Sequence, residues 1–257
     1  MAQGLPRTHL NSAGLVRALA TLAEADVADS RQSLAERLGD WLDFTQALAL
    51  FSALNAAAGE PGAAAATPAA TPAAAARRAL AHVRAVLTES IASDGASRAG
   101  RSRIDLPVPA AQATAEQAAD FEPWRRYYLA HQRDMNANIG PLRASVRTAL
   151  SRQSATLARL AALDAVMDEA LAERERALLA TVPALLKRRF AHRLEAHRAT
   201  RAGAQAQDDP AAWMQHDGWL AAFCAELKTV LLAELELRLQ PVAGLIEALD
   251  NEMGKQQ

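Results

Sequence analysis

Residues Pro141–Val182 read PLRASVRTALSRQSATLARLAALDAVMDEALAERERALLATV. Apolar residues recur there at three- and four-residue steps, which places them on one side of an α-helix. The stripe is Leu142, Val146, Leu150, Leu157, Leu160, Met167, Leu171 and Leu178, widened by Ala149, Leu163 and Val166. Arg147, Arg152, Arg159, Asp168, Glu169, Glu173 and Arg176 fall on the other side, where they can stay hydrated. The spacing predicts one unbroken helix of about eleven turns, roughly 60 Å long. That exceeds the width of a compact domain of this size, so the expectation is an elongated helical bundle or helical hairpin with a long central helix. An intermolecular coiled coil is the alternative, although Gln153, Asp164 and Arg174 at or beside core positions spoil a strict heptad seam.

Composition agrees with an all-α fold. The chain has 257 residues, and 51% apolar content is enough for a core in one or two domains. Much of that content is alanine, which favours helix but buries little area, so leucine must supply most of the core, with few aromatics beside it. β-Branched residues are scarce and do not alternate with polar ones as in a strand.

The formal charge of −1 hides segregation along the chain. Residues 183–203 carry six cations and one anion, whereas 208–257 carry three cations and nine anions, so the two regions are expected to pair. Cys224 is the only cysteine, which rules out an intrachain disulfide and a cysteine-rich zinc site. The opening MAQGLPRTHLNSAG lacks the basic flank and apolar run of a leader, and no window approaches the ~20 apolar residues of a membrane span. A soluble, cytoplasmic protein without membrane insertion is the expectation.

Working outward, residues 1–58 form an N-terminal helical region. Asn11 or Ser12 caps a first helix through Leu22, and Asp29 or Ser30 caps a second that carries Leu34, Leu38, Trp41, Leu42, Leu48, Phe51 and Leu54. Residues 59–72 repeat alanine, proline and threonine as a linker. A helix over 73–92 presents Leu80, Val83, Val86, Leu87 and Ile91, closed by Ser93-Asp94-Gly95. Residues 93–119, rich in arginine, serine and proline, read as a long mobile loop.

The remainder, 120–252, is expected to form a bundle or hairpin. Asp120 or Glu122 with Pro123 starts a helix whose face is Phe121, Trp124, Tyr128, Met135 and Ile139. Gly140-Pro141 should break or bend the chain, and Pro183 should produce a turn before a helix from Ala184 to about Thr200. Asp209-Pro210 can start the last helix, which carries Trp213, Leu220, Phe223, Leu227, Val230, Leu231 and Leu235. Pro241 is expected to kink it before Val242, Leu245, Ile246 and Leu249 continue the apolar side. The helix from Pro141 to Val182 is expected to pair with this last helix, and the two linkers to let the N-terminal part move.

Candidate contact residues come in two groups. Lys187, Arg188, Arg189, Arg193, Arg198 and Arg201 cluster on one helix and could hold phosphates through counterion release, aided by Arg98, Arg101 and Arg103. Leu185, Leu186, Phe190 and Leu194 give that helix an ordinary buried face, so a solvated face or a dock for acidic partners is favoured. Arg125, Arg126 and Tyr127 lie in an aromatic–arginine run that can stack bases, yet Trp124 and Tyr128 share a packing face and only Tyr127 falls off it.

His131 with Asp134 and His192 with Glu195 are isolated pairs, too few for a metal. Cys224 lies among Leu220, Phe223 and Leu227, the setting of a small buried thiol. With no nucleophile elbow, phosphate loop or dinucleotide fingerprint, no catalytic residue and no cofactor is expected.

The run Phe121, Trp124-Arg125-Arg126, Tyr128-Leu129, His131-Gln132-Arg133, Pro141-Leu142-Arg143, Val146-Arg147 and Leu163-Asp164 resembles an uncharacterised proteobacterial family, a domain of unknown function. Val182-Pro183, Leu185-Leu186 and Arg189-Phe190 extend the likeness over most of the chain outside its alanine-rich linkers. The resemblance implies neighbours among genes for proton-channel subunits related to the flagellar motor stator, and supplies no activity and no functional residue. The function expected is therefore a non-enzymatic helical interaction or assembly protein, self-associating or bound to protein partners, as a cytoplasmic accessory of an ion-driven envelope complex. The alternative is nucleic-acid binding through the basic helix 184–201.

Overall fold

A computed structural model describes residues 14–24, 36, 40–55, 71–93, 104–110, 114–201 and 210–255. Regular structure among them is helical throughout: α1 Gly14–Ala23, α2 Phe44–Asn55, α3 Pro72–Ala92, α4 Ala115–Ala118, α5 Glu122–Ser151, α6 Ala155–Leu179, α7 Val182–Arg201 and α8 Trp219–Lys255, with a 3-10 turn at Pro210–Met214. The all-α bundle expected from composition and periodicity is the fold observed.

The chain divides into two units, each assembled from separated stretches of sequence. The first comprises Met1–Asp29, Leu87–Met135 and Thr181–Leu237. Its core contains an aromatic cluster. Phe223 packs edge-on against Trp124 at 5.6 Å and Phe190 at 5.1 Å, and lies 6.4 Å from Phe121. Phe190 leads on to Trp219 at 5.2 Å, and Trp219 to Trp213 at 5.1 Å. Leu186, Leu220, Leu227, Leu231 and Leu235 surround this cluster, and α1 closes on α7 with Leu15 and Leu22 buried. Leucine is the commonest buried residue of this unit, as expected, and the small aromatic supply is concentrated in one place beside it.

The second unit comprises Ser30–Val86, Asn136–Ala180 and Arg238–Gln257. Here the core is aliphatic: Leu142, Val146 and Leu150 of α5, Leu157 and Ala161 of α6, Ala73, Ala76 and Leu80 of α3, and Leu239, Val242, Leu245 and Leu249 of α8 are buried. α6 lies along α2. Gln46 of α2 donates to the carbonyl of Ala170 at 3.3 Å, and the Arg174 guanidinium sits 4.7 Å over the Trp41 ring, whereas α8 reaches α6 through Arg238 and Glu175 at 3.4 Å.

The long unbroken helix of the sequence reading is corrected. α5 ends at Ser151, and Ser154, in an extended conformation, accepts from the Leu157 amide at 3.2 Å and starts α6. The stripe has a gap of two turns between Leu150 and Leu157, and a serine able to cap there converts that gap into a turn. α5 and α6 fold back on each other as a hairpin, clamped by four charges: Arg143 bonds Asp164 at 2.5 Å and Asp168 at 2.6 Å, and Arg147 bonds the same pair at 2.7 and 2.8 Å. Burial alone would raise the Asp164 carboxyl, but hydrogen bonds from Arg143 and Arg147 outweigh it and hold it below the usual aspartate range. The residue that spoiled the heptad seam is therefore the centre of the clamp. Leu178, assigned to the stripe, is 61% exposed, and Leu179 is buried instead.

Gly140-Pro141 does not break the chain, because α5 runs through it. Ala137, Gly140 and Pro141 are all exposed, so the carbonyl that loses its donor faces solvent. α8 likewise runs through Pro241. It begins at Trp219, after the 3-10 turn, and not at Asp209-Pro210. Glu36, Asp40 and Trp41 are helical, Leu42 and Asp43 interrupt the helix, and α2 then starts at Phe44: the Asp43 carboxylate accepts from the Gln46 amide at 2.7 Å while the Gln46 side chain accepts from the Asp43 amide at 3.0 Å, a reciprocal cap. Val86, placed on the apolar side of the third helix, is 44% exposed.

Other boundaries agree with the sequence. Thr71 accepts from the Ala74 amide at 3.3 Å and Pro72 opens α3, and the Asp120 carboxylate accepts from Glu122 at the start of α5. Pro183 sits in the first turn of α7, directly after a turn at Ala180 and Thr181. Within the expected loop, Leu106 is buried and Thr114 caps α4 through a capping box with Gln117. Asn11, Ser12, Asp29, Ser30, Leu34, Leu38, residues 59–70, Asp94, Gly95, Arg98, Arg101, Arg103 and Asp209 lie outside the described residues. Among the described residues, no helix is long and apolar enough to cross a membrane.

Candidate functional site

The cations singled out from the sequence are largely committed to carboxylates. On α5, Arg125 grips Glu122 with two hydrogen bonds of 2.8 Å, and Arg126 lies 3.9 Å from the same carboxylate. Tyr127, which was expected off the packing face, is buried; α5 buries a face broad enough to take Trp124, Tyr127, Tyr128 and His131 together.

On α7, Arg189 and Arg193 converge on Glu226 of α8 at 2.7 and 2.5 Å, the pairing expected between the basic and acidic regions. Arg189 also meets Glu24 at 2.5 Å. Glu24 ends α1 at φ 51°, a left-handed conformation that favours glycine. Burial would raise the Glu226 carboxyl, but the Arg193 and Arg189 guanidiniums outweigh it and hold it low. Arg198 pairs with Glu195 at 2.9 Å, while Lys187 and Arg188 are exposed.

A groove of about 440 Å³ opens beside these residues, lined among others by Arg193, His192, His197, Glu24, Asp217 and Trp219. Both signs of charge line it, so it has no strong preference for an anion. Cys224 is buried, with its sulfur 3.9 Å from that of Met214, as expected of a structural thiol. Among the described residues, no group of three or more histidine, cysteine or carboxylate side chains is placed to hold a metal.

The first unit also contains a buried polar centre that the sequence reading missed. Glu234 of α8 is fully buried and accepts from the Tyr128 hydroxyl at 2.5 Å and from the Gln132 amide at 3.0 Å. Gln132 also donates to the Tyr128 oxygen at 3.1 Å. The signal was present, because Glu234 falls on the stripe of Leu227, Val230 and Leu231.

His131, one turn along, is 1% exposed and packs edge-on to Tyr127 at 4.5 Å; its Nε2 has no hydrogen-bond partner. Burial, with a smaller contribution from Lys228, lowers its pKa to about 4. The folded state thus keeps this imidazole neutral where the unfolded chain takes up a proton. Stability should be complete above the ordinary histidine pKa of about 6.5 and fall as pH drops toward 4, by roughly 2 kcal/mol at pH 5. Urea titrations at pH 7.5 and pH 5 should show this loss, and His131→Leu should abolish most of it; an unchanged slope in the variant would assign the acid sensitivity elsewhere.

The most unusual surface belongs to α2. Its sequence, FTQALALFSALN, has no charged residue, and none of its residues is buried. Gln46, Leu50 and Ala53 are its half-buried positions, while Phe44, Leu48, Phe51 and Leu54 are 84%, 54%, 64% and 57% exposed. The sequence reading had Leu48, Phe51 and Leu54 on an apolar face and overlooked Phe44. The available signal was the absence of charge, since a helix covered on one side only ordinarily carries charges on the other.

No curated protein and no solved structure matches the chain. A family model matches residues 1–251, nearly the whole length, in agreement with the resemblance carried by the Trp124, Pro141 and Val182 motifs. The chain therefore belongs to the family described as Protein of unknown function (DUF3348).

Proposed function

We propose that this chain is a non-enzymatic interaction and assembly protein whose recognition element is α2. The observation that carries the reading is a twelve-residue helix without charge that leaves two phenylalanines and two leucines more than half exposed. A helix apolar on several sides is ordinarily covered, and contiguous exposed apolar patches mark contact sites. The finer reading, a cytoplasmic accessory of an ion-driven envelope complex that binds protein partners, draws its support from the family resemblance alone. Nucleic-acid binding has weaker support, because Arg125, Arg189, Arg193 and Arg198 are engaged by Glu122, Glu226 and Glu195.

The test is a photo-crosslinking amino acid at Leu48 in the full chain, expressed in its native host. Protein adducts should form at Leu48 and not at the exposed Arg152. Equal labelling at both positions would overturn the reading. A low-salt gel shift abolished by neutralising Lys187 and Arg188 would move the function to nucleic acid.

A further inference from the structure

We infer that the occupant of the α2 face is a second copy of this chain, docked antiparallel so that each Phe44 enters the groove beside the other copy's Leu54. The inference rests on the reading of α2 as a recognition element. Phe44 projects from the first turn of α2 with 84% of its surface exposed. At the other end of the helix, Ala53 and Leu54 join Thr156, Arg159, Leu160 and Leu163 of α6 around a groove of about 300 Å³. A protruding ring and a largely alkyl cleft thus occupy opposite ends of one surface. A two-fold axis passing between Leu48 and Phe51 brings each ring to the other's cleft, as a self-complementary interface requires.

Charge and area favour the same occupant. α2 has no charged residue, so pairing two copies of it sets no like charges of the helix against each other. The antiparallel arrangement also keeps the two Asp43 carboxylates at opposite ends and opposes the helix dipoles. The four exposed side chains offer roughly 500 Å² per copy, hence about 1,000 Å² for the pair, at the lower edge of specific interfaces. A dissociation constant on the order of micromolar follows for so small an apolar contact.

Sedimentation equilibrium of the full chain over a wide concentration range tests this. The expected result is a monomer–dimer equilibrium unchanged between low and high salt. Phe44→Ala and Phe51→Glu should each weaken it at least about tenfold, the loss expected of an anchoring aromatic. Both residues are exposed, so circular dichroism of both variants should match the parent. A parent that stays monomeric, or a dimer indifferent to both substitutions, overturns the inference. If a monomeric parent still yields Leu48 adducts with other proteins, the second copy is excluded and α2 remains a recognition element; if neither appears, both readings fall.

Discussion

Phe223→Ala is expected to cost about 3–5 kcal/mol of folding free energy, the range for truncating a buried aromatic that leaves a cavity. Phe223 is fully buried and touches the rings of Phe121, Trp124 and Phe190, which come from α5, its N-terminal flank and α7. Its removal takes away apolar burial and several edge-to-face contacts together. Urea denaturation followed by circular dichroism should show the transition of the first unit moving sharply to lower denaturant. Leu178→Ala provides the contrast: at 61% exposure it should change stability by less than about 0.5 kcal/mol. A cost below about 1 kcal/mol for Phe223→Ala would mean that the aromatic cluster does not organise this unit.

Glu234→Ala should cost about 3 kcal/mol for a different reason, because it deprives the buried Tyr128 hydroxyl and Gln132 amide of a shared acceptor. Glu234→Gln keeps an acceptor oxygen and should cost less. The informative measurement is the double variant Tyr128→Phe with Glu234→Leu, which removes donor and acceptor together. Its cost should fall well short of the two single costs added, since neither group is then left unmatched. Strict additivity would show that the two side chains do not depend on each other.

Much of this fold was legible because apolar spacing reports helix faces directly. Phe121, Trp124, Tyr128, Met135 and Ile139 are all buried as their spacing requires, and so are Leu220, Phe223, Leu227, Val230, Leu231 and Leu235. The failures came where one residue's local chemistry competes with helix propensity. Ser154 as a cap ends a segment that looked continuous, whereas exposed Pro141, expected to break or bend the chain, sits inside a helix that continues through it. Periodicity also says nothing of which face stays uncovered. Leu48, Phe51 and Leu54 looked like ordinary packing residues until the fold placed only Gln46, Leu50 and Ala53 of α2 toward its neighbour. The Glu234 centre was missed because an isolated acid among leucines was counted with its region's charge rather than with its face.

The placement of the indoles gives each unit its own optical reporter. Trp124, Trp213 and Trp219 lie in the first unit and Trp41, beneath Arg174, in the second. Emission from a Trp41→Phe protein would follow the aromatic core alone. A protein keeping Trp41 as its sole fluorophore would watch the hairpin of α5 and α6 with its α2 cover, so the order in which the two units melt can be timed without any added label.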